Sequence, residues 1–429
     1  MSPSRRIVIT GTGAVCGAGR TIESIWNAIV EGRSAVAPST ELDAERWPVS
    51  VAAEVPGADV RTLVEDRRLQ KMISRTDLFG LYAAGEAIRD SGLAAERDKL
   101  DAPAKAQFND RSGVFAGSGG GTFRSTYDFF PLLTQAAGDM AAFGRDLEMT
   151  VDPMWLLRQL PNNVVCHVGI RHGFKGTNAC ITNQCVGGAM AVAEAAAAIR
   201  VDEADRAVAV GHDAPIEPET LLHYHNLGLL AREALRPFDR SRAGTIFGEG
   251  AAAVVLEVAA GAQARGAAVL GELLGTGCVS EATGILDVLP DGDGLGRAIK
   301  LALEQAGVAP SDVGMVVAHG NGTRSSDASE AAALRRVFAP APPPVTSFKW
   351  ALGHTIAASA TLDLVFTLKA LQQGLVPGVA TLNELDPALA PFPVSSKPQK
   401  PRSNLALVCS RGFGGMNVAL VIRAGGPRS

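Results

Sequence analysis

Cys185 is the residue of this chain best suited to covalent chemistry. It follows the polar stretch 176–184 and precedes the alanine-rich run 187–199. A helix this apolar on every side must be buried, and its N-terminus carries unpaired N–H groups and the positive end of the helix dipole. We therefore expect the Cys185 thiol to ionise readily and to react as a thiolate. The alternative is that Cys185 is a small buried core residue, the more common role of a free cysteine.

Two histidines stand close to predicted strands. His319 follows an apolar strand predicted over 313–318, and open α/β sheets place their sites at the carboxyl ends of such strands. His354 closes the segment 347–354, SFKWALGH, which also contains Lys349. Taken singly, each histidine would more often be structural, and Lys349 would more often be a solvated surface residue.

A glycine-rich loop near the end of the chain completes a candidate catalytic set. Residues 409–417, CSRGFGGMN, predict a strand that runs into this loop, although such a loop is often a plain hairpin turn. A thiolate can hold an acyl group as a thioester, and neutral imidazoles can stabilise the enolate formed when a second thioester loses carbon dioxide. Backbone N–H groups of Cys185 and of the loop can form an oxyanion hole.

Strands and helices alternate around these motifs. Strands are predicted over 6–10, 112–118, 206–211, 251–257, 268–274 and 313–318, and helices over 21–31, 74–90 and 294–306. Residues 11–13 predict a glycine turn after the first strand, and 123–160 predict a helical insertion. The alternation implies parallel sheets covered by helices. We divide the chain into an N-terminal half, 1–258, with the cysteine, and a C-terminal half, 259–429, with both histidines.

Length and composition favour an ordinary globular α/β protein. A chain of 429 residues suits two core-forming units at about 150 residues per domain. A net charge of −4 without charged blocks gives no indication of nucleic-acid binding. Six scattered cysteines without a CxxC pair argue against a disulfide framework or a zinc site. With no export signal and no apolar run long enough to span a bilayer, we expect a cytoplasmic protein without membrane insertion.

Together these motifs resemble those of the β-ketoacyl-acyl carrier protein synthases, the elongating Cys-His-His condensing enzymes of the thiolase superfamily. The match includes the nucleophile segment around Cys185 and the motif AHGNGT with His319. It also includes SxKxxxGH at 347–354 and GFGG at 412–415. Because the motifs follow one another in the family order across residues 7–422, the resemblance covers essentially the whole chain.

This resemblance implies an α/β thiolase fold of five layers, α-β-α-β-α, built from two similar halves. It implies a dimer, either of identical chains or with a chain-length factor, and substrates carried on the phosphopantetheine of an acyl carrier protein, without a metal or other cofactor. Cys185 would take up the acyl chain, and His319 and His354 would promote decarboxylation of the malonyl-carrier. Lys349 and Glu330 would hold the histidine network.

The resemblance also assigns roles to the pocket walls. Phe413 would act as a gate, with its backbone N–H joining that of Cys185 in the oxyanion hole. The substrate-binding residues would be Asn321, Thr323, Gly412, Gly414 and Gly415.

Several positions depart from the family pattern without removing a catalytic group. They are Gln184, Asn321, Ala357, Ala360, Arg411 and Met416. At the position of Arg411, elongating fatty-acid synthases often carry Phe. These departures favour a specialised type II polyketide or polyene ketosynthase over a housekeeping fatty-acid synthase. The alternatives are a non-catalytic chain-length factor, which usually has Gln at the nucleophile position, an acyltransferase of the same fold, and a thiolase with a second catalytic cysteine.

Overall fold

The computed structural model describes residues 5–40, 42, 43, 45–56, 60–119 and 129–425. The strands of this part of the chain are β1 (Ile7–Cys16), β2 (Ala37–Pro38), β3 (Val51–Ala52), β4 (Ser112–Ser118), β5 (Asn178–Ile181), β6 (Arg206–Asp213), β7 (Gly250–Val258), β8 (Gly271–Ser280), β9 (Met315–Val317), β10 (Val345–Thr346), β11 (Leu405–Gly412) and β12 (Met416–Ala424). Its α-helices are α1 (Ile22–Val30), α2 (Arg75–Ser91), α3 (Leu93–Asp98), α4 (Ala102–Asp110), α5 (Phe130–Gln135), α6 (Met140–Thr150), α7 (Trp155–Arg158), α8 (Asn163–His172), α9 (Gly187–Arg200), α10 (Pro218–Asn226), α11 (Ala259–Ala264), α12 (Asp293–Ala306), α13 (Arg324–Val337), α14 (Lys349–Leu352) and α15 (Ser359–Gln372).

The main sheet consists of two five-stranded units with the same strand order. The whole order is β10-β9-β11-β12-β8-β1-β7-β6-β4-β5. In each unit the strands, counted along the chain, lie in the order 3-2-4-5-1 from the outer edge inward. The units join where β1 pairs with β8, through Val8 with Glu272 and Ile9 with Gly271. This repeated order gives the two similar halves that the sequence predicted.

Packing of the helices divides the molecule into five layers. Helix α2 packs against β1, β6 and β7, and α12 packs against β8, β11 and β12, so these helices form the outer layers. Helices α9 and α15 each contact strands of both units and lie between them. The predicted five-layered fold is therefore confirmed. The division at 258/259 falls between β7 and α11 and remains a prediction.

The prediction of parallel sheets was only partly right. Strand β4 pairs in parallel with β5 and β6, and β9 pairs in parallel with β10 and β11. The pairs that involve β7 or β12, and the pairing of β1 with β8, are antiparallel. Short apolar runs indicate buried strands but do not indicate strand direction, so the mixed sheet could not be predicted from them.

The predicted turn at residues 11–13 was wrong, because β1 continues through these glycines. A Cβ added at Gly11 would lie 2.2 Å from the carbonyl oxygen of Ala87, and one at Gly13 would lie 2.2 Å from that of Ala83. The glycines therefore allow α2 to lie directly on the strand, a common reason for glycine within a strand.

The three helices predicted from periodicity are present as α1, α2 and α12. Helix α2 begins at a capping box formed by Ser74 and Asp77, and it ends at Gly92, whose φ of 71° is left-handed. The insertion predicted over 123–160 lies outside the described residues from 123 to 128, and the remainder contains α5, α6 and α7. In the described ranges, no helix is both long and apolar enough to cross a membrane.

The two central helices cross at small residues. A Cβ added at Gly188 of α9 would lie 2.4 Å from the carbonyl oxygen of Ala357, and its next contact would be the Thr361 methyl group at 3.2 Å. Glycine is therefore needed at position 188 for the backbones of α9 and of the turn before α15 to approach this closely. This crossing sets the distance between the segments that carry Cys185 and His354.

Candidate active site

Cys185 occupies a tight turn between a strand and a helix. Strand β5 ends at Ile181, and a 3₁₀ turn over Gln184–Val186 leads directly into α9. Gln184 has a left-handed φ of 46°, and its Nε2 donates a hydrogen bond of 3.1 Å to the Gly119 carbonyl. Such a conformation is strained for a residue other than glycine. The turn buries Cys185 to 5% exposure at the floor of a pocket.

His354 contacts this thiol directly. Its Nε2 lies 3.2 Å from Cys185 Sγ, and its Nδ1 lies 3.0 Å from the hydroxyl of Ser359. That hydroxyl also accepts a hydrogen bond from the Thr355 N–H at 3.1 Å. A serine hydroxyl can accept from Nδ1–H or donate to Nδ1, so Ser359 supports either neutral tautomer of His354. Ser359 was not among the predicted site residues.

His319 lies beside His354, two residues beyond the end of β9. The two rings are nearly perpendicular at 85°, with their centroids 5.3 Å apart. The Arg411 backbone N–H donates to His319 Nδ1 at 3.4 Å, so a neutral His319 carries its proton on Nε2. Glu330 accepts the backbone N–H groups of His319 and Gly320 at 2.8 and 2.9 Å. The predicted link between Glu330 and the histidine motif therefore runs through the main chain.

Lys349 is buried, contrary to the usual expectation for a lysine. Its Nζ lies 3.0 Å from Asp363 Oδ2, and the two side chains are 2% and 3% exposed. Asp363 was missed by the sequence analysis, although a single carboxylate in the apolar run 355–371 was a usable signal, because a buried charge needs a partner. The ammonium group therefore acts on the histidines through its charge and not through a hydrogen bond.

The ionisation states differ from the sequence expectation. Burial raises the pKa of Cys185 to about 12, and the nearby Lys349 charge only partly opposes this. The expectation that the thiol ionises readily at the helix terminus was therefore wrong. Burial, and next the Lys349 charge, hold the pKa values of His319 and His354 well below 6.5. At neutral pH the site thus contains a neutral thiol and two neutral imidazoles.

A pocket of about 180 Å³ opens over these side chains. Its lining includes the reactive trio, four of the five predicted substrate-binding residues and the predicted gate: Cys185, His319, His354, Asn321, Thr323, Gly412, Gly415 and Phe413. Gly414 is not in the lining; with a φ of 77°, it donates its N–H to the Ile285 carbonyl at 2.7 Å. Asn321 Oδ1 accepts the N–H and the hydroxyl of Thr323 at 3.0 and 2.8 Å. We call this cavity the central pocket.

The glycine loop over 412–415 passes next to the backbone of Cys185. A Cβ added at Gly412 would lie 3.6 Å from the Cys185 backbone nitrogen. The Phe413 ring packs on Tyr224 with centroids 5.2 Å apart, and the Tyr224 and Phe247 rings are nearly perpendicular, at 71°, with centroids 4.8 Å apart. Phe413 thus lies at one wall of the pocket within an aromatic cluster. In the described part of the chain, no group of three or more His, Cys, Asp or Glu side chains could hold a metal ion.

A thiol and two neutral imidazoles beneath a glycine loop, at the centre of two repeated α/β halves, define a thiolase-fold condensing enzyme. The particular family follows from comparison with known proteins. The family models described as "Beta-ketoacyl synthase, N-terminal domain" and "Beta-ketoacyl synthase, C-terminal domain" match residues 4–262 and 270–383. The chain belongs to the β-ketoacyl synthase family, as its motifs predicted.

Full-length relatives support this assignment. Nodulation protein E of Rhizobium leguminosarum bv. trifolii is 32% identical over 425 residues, which cover 98% of this chain and 99% of the relative. The 3-oxoacyl-[acyl-carrier-protein] synthase 2 of Rhizobium meliloti (strain 1021) is 30% identical over 434 residues, with coverage of 98% and 99%. The predicted enzyme class, a condensing acyltransferase, is thereby confirmed.

Solved structures agree with the fold. The ishigamide ketosynthase/chain length factor has a TM-score of 0.85 at 28% identity and covers 99% of this chain and 100% of its own. A β-ketoacyl synthase from Burkholderia phymatum STM815 has a TM-score of 0.86 at 26% identity, with coverage of 98% and 100%. These likenesses extend over at least 98% of each chain.

Proposed function

We propose that this chain joins an acyl group held on Cys185 to a malonyl unit held on an acyl carrier protein, with loss of carbon dioxide. The observation that carries the proposal is the 3.2 Å contact between Cys185 Sγ and His354 Nε2, with His319 beside it in the same pocket. The substrates would arrive on the carrier's phosphopantetheine arm, and no other cofactor is proposed.

The first half-reaction is acyl transfer to the thiol. Because burial keeps the thiol protonated, Cys185 must lose its proton as it attacks, and His354 Nε2 is placed to accept it. The new bond joins Sγ to the acyl carbon, and the carrier's sulfur leaves and takes the proton from His354. The backbone N–H groups of Cys185 and Phe413 would hold the oxyanion of the tetrahedral intermediate.

The second half-reaction forms the carbon–carbon bond. The malonyl-carrier loses carbon dioxide, and the electron pair of the broken bond becomes an enolate at its thioester oxygen. His319 carries its proton on Nε2, and His354 can do so in its second tautomer, so both imidazoles can donate to that oxygen. The enolate carbon then attacks the acyl group on Cys185. The cysteine sulfur leaves as a thiolate, which releases a 3-oxoacyl-carrier two carbons longer, and it takes up one proton from solvent to restore the thiol.

For the pathway, we favour specialised type II polyketide or polyene synthesis over housekeeping fatty-acid synthesis. The departures noted in the sequence support this choice, among them Gln184 beside the nucleophile and Arg411 at the pocket wall. So does the likeness to a structure described as a ketosynthase/chain length factor. The partners would be an acyl carrier protein and either a second identical chain or a chain-length factor. The proposed location is the cytoplasm, in keeping with free cysteines throughout the described residues.

The geometry favours a condensing enzyme over the alternatives. A chain-length factor would not need a buried thiol in contact with an imidazole. A thiolase needs a second cysteine at the reacting carbon, but Cys409 is fully buried within β11 and does not line the central pocket. An acyltransferase would not release carbon dioxide from a malonyl-carrier, so that product separates it from a synthase.

Mass spectrometry of the intact protein tests the proposal. The wild type, Cys185→Ala and the exposed-cysteine control Cys166→Ala are each incubated with a panel of acyl-carriers and then with malonyl-carrier. We expect an acyl adduct on the wild type and on Cys166→Ala, none on Cys185→Ala, and a product two carbons longer after malonyl addition. An adduct that persists in Cys185→Ala, or that is never elongated, would contradict the proposal.

A further inference from the structure

An arginine occupies an unusual position at the end of β11. Arg411 is 5% exposed and lines the central pocket. Its Nε donates to Asn417 Oδ1 at 2.9 Å, its Nη2 to Glu281 Oε1 at 2.9 Å, and its Nη1 to the Ser326 carbonyl at 3.2 Å. Asn417 is its pairing partner on β12. The side chain thus connects three segments that are distant in the sequence.

Both oxygens of Glu281, the carboxylate that pairs with Arg411, accept hydrogen bonds. Glu281 Oε1 also accepts from Asn417 Nδ2 at 3.0 Å, and Oε2 accepts the Leu289 N–H at 2.9 Å. A Cβ added at Gly294 would lie 2.3 Å from Glu281 Cγ, and one at Gly415 would lie 2.8 Å from Glu281 Cβ. The Arg411–Glu281 pair therefore has one fixed arrangement, and neither partner can turn to solvent.

The Arg411–Glu281 ion pair lies where one wall of the central pocket, the segment 281–289, meets the glycine loop. The segment 281–289 contributes Ile285, Leu286 and Val288 to the lining. It is joined to the loop twice, because Glu281 N–H donates to the Gly415 carbonyl at 2.9 Å and Gly414 N–H donates to the Ile285 carbonyl at 2.7 Å. The wall and the loop are thus linked through the side chain and the main chain.

Arg411 is linked to His319 in two ways. The Arg411 backbone N–H bonds to His319 Nδ1. Its guanidinium bonds to the Ser326 carbonyl in α13, the helix that carries Glu330, and Glu330 holds the His319 main chain. The contacts of the Cys185 thiol with His354, and of His354 with Ser359, involve other segments, and β11 contacts Cys185 through the Ser410 hydroxyl, which donates to the Cys185 carbonyl at 3.0 Å. A shift of Arg411 would therefore reach His319 directly, through the Arg411 N–H and through α13, whereas it would reach Cys185 only through the neighbouring residues of β11.

We propose that Arg411, paired with Glu281, is a positioning residue for His319. It serves the decarboxylating half-reaction and not the acyl transfer. This inference rests on the proposed function, and it names a group beyond the cysteine and histidines on which condensation depends. A displacement of about 1 Å in a reacting group can cost about 100-fold in rate, so loss of the guanidinium is expected to damage one half-reaction selectively.

The test measures the two half-reactions separately in full-length protein. The variants are Arg411→Met, the conservative Arg411→Lys, and the double variant Arg411→Met/Glu281→Leu, which leaves no unpaired buried charge. The matched control is Arg423→Met, which breaks a partly exposed pair with Glu272 at 3.3 Å elsewhere on β12. Acylation of Cys185 is followed by intact mass, and carbon dioxide release is followed after pre-acylation with malonyl-carrier.

In the Arg411→Met and double variants we expect carbon dioxide release to fall by about 10- to 100-fold, with acylation within about threefold of wild type. Arg411→Lys should recover part of the loss, and Arg423→Met should match wild type. Equal loss of both half-reactions in a variant with wild-type melting temperature, or no loss in the folded double variant, would overturn the inference. A wild type inactive in both half-reactions would instead refute the proposed function.

Discussion

Each half of the molecule has a 3₁₀ turn that leads into a central helix, but the two turns carry different side chains. In the N-terminal half a 3₁₀ turn over Gln184–Val186 leads into the 14-residue helix α9. In the C-terminal half a 3₁₀ turn over Ile356–Ala358 leads into α15, which also has 14 residues. The first residue of each turn is left-handed, with φ of 46° at Gln184 and 44° at Ile356. Each turn follows the third strand of its unit.

The difference lies in which side chains occupy equivalent places. The second residue of the turn is Cys185 in one half and Ala357 in the other, and the fifth residue of the helix is Ala191 in α9 but Asp363 in α15. His354 comes just before the second turn and reaches across to the thiol. The repeated backbone thus supplies two helix starts side by side, and single side chains decide which is the nucleophile and which supplies the base and the buried charge.

The largest effect is expected when His354, the general base for Cys185, is removed. His354→Ala should slow acylation of Cys185 by about 10²- to 10⁴-fold, since general-base catalysis contributes on that scale. The rate of adduct formation by intact mass measures this. His319→Ala serves as the control, because it leaves the Cys185–His354 contact in place and should acylate near the wild-type rate. Fast acylation of His354→Ala would mean that the helix start alone activates the thiol.

The protonation of Cys185 gives a second test of whether the helix start activates it. Because burial raises its pKa to about 12, its thiolate fraction should rise about tenfold per pH unit between pH 7 and pH 10. Iodoacetamide labelling of Cys185, read by peptide mass spectrometry with exposed Cys166 as internal reference, should rise accordingly. A labelling rate that levels off near pH 7 would reveal a thiolate–imidazolium pair instead.

Asp363 in α15 occupies the position of Ala191 in α9, and its ion pair with Lys349 should affect the free energy of unfolding. Lys349→Met leaves Asp363 without its partner, which is expected to lower the free energy of unfolding by about 3–5 kcal/mol. The double variant Lys349→Met/Asp363→Leu should recover most of this loss, because no unpaired charge remains. Urea unfolding of the three proteins measures the difference. Equal stability of wild type and Lys349→Met would show that Asp363 is solvated or neutral.

The smallest effect is expected at Gln184, the left-handed first residue of the turn in the N-terminal half. Gln184→Val places a β-branched residue at positive φ and removes the hydrogen bond to Gly119, so a loss of about 1–2 kcal/mol is expected. Gln184→Gly should be close to neutral, because glycine relieves the strain. Ile356→Gly should destabilise despite the same relief, because Ile356 is 3% exposed. Thermal melts rank the three, and the reverse ranking would refute this account.

The sequence was informative wherever chemistry and local pattern coincide. The thiol, the histidines and the glycine loop do converge, and α1, α2 and α12 follow their apolar periodicity. Sequence analysis did not predict the features that depend on contacts between residues distant along the chain. The Asp363 partner of Lys349 lies 14 residues on, and Glu281 lies 130 residues before Arg411. The state of the thiol was mispredicted because the cost of burial depends on everything packed around Cys185.

The crossing at Gly188 has a consequence for how such a protein can evolve. A single methyl group there would meet the backbone at Ala357 and move apart the halves that carry thiol and imidazole. Selection on catalysis would therefore act on Gly188, although this residue does not line the central pocket. A position outside the pocket can thus be constrained by catalysis, because it sets how closely α9 and the turn before α15 approach each other.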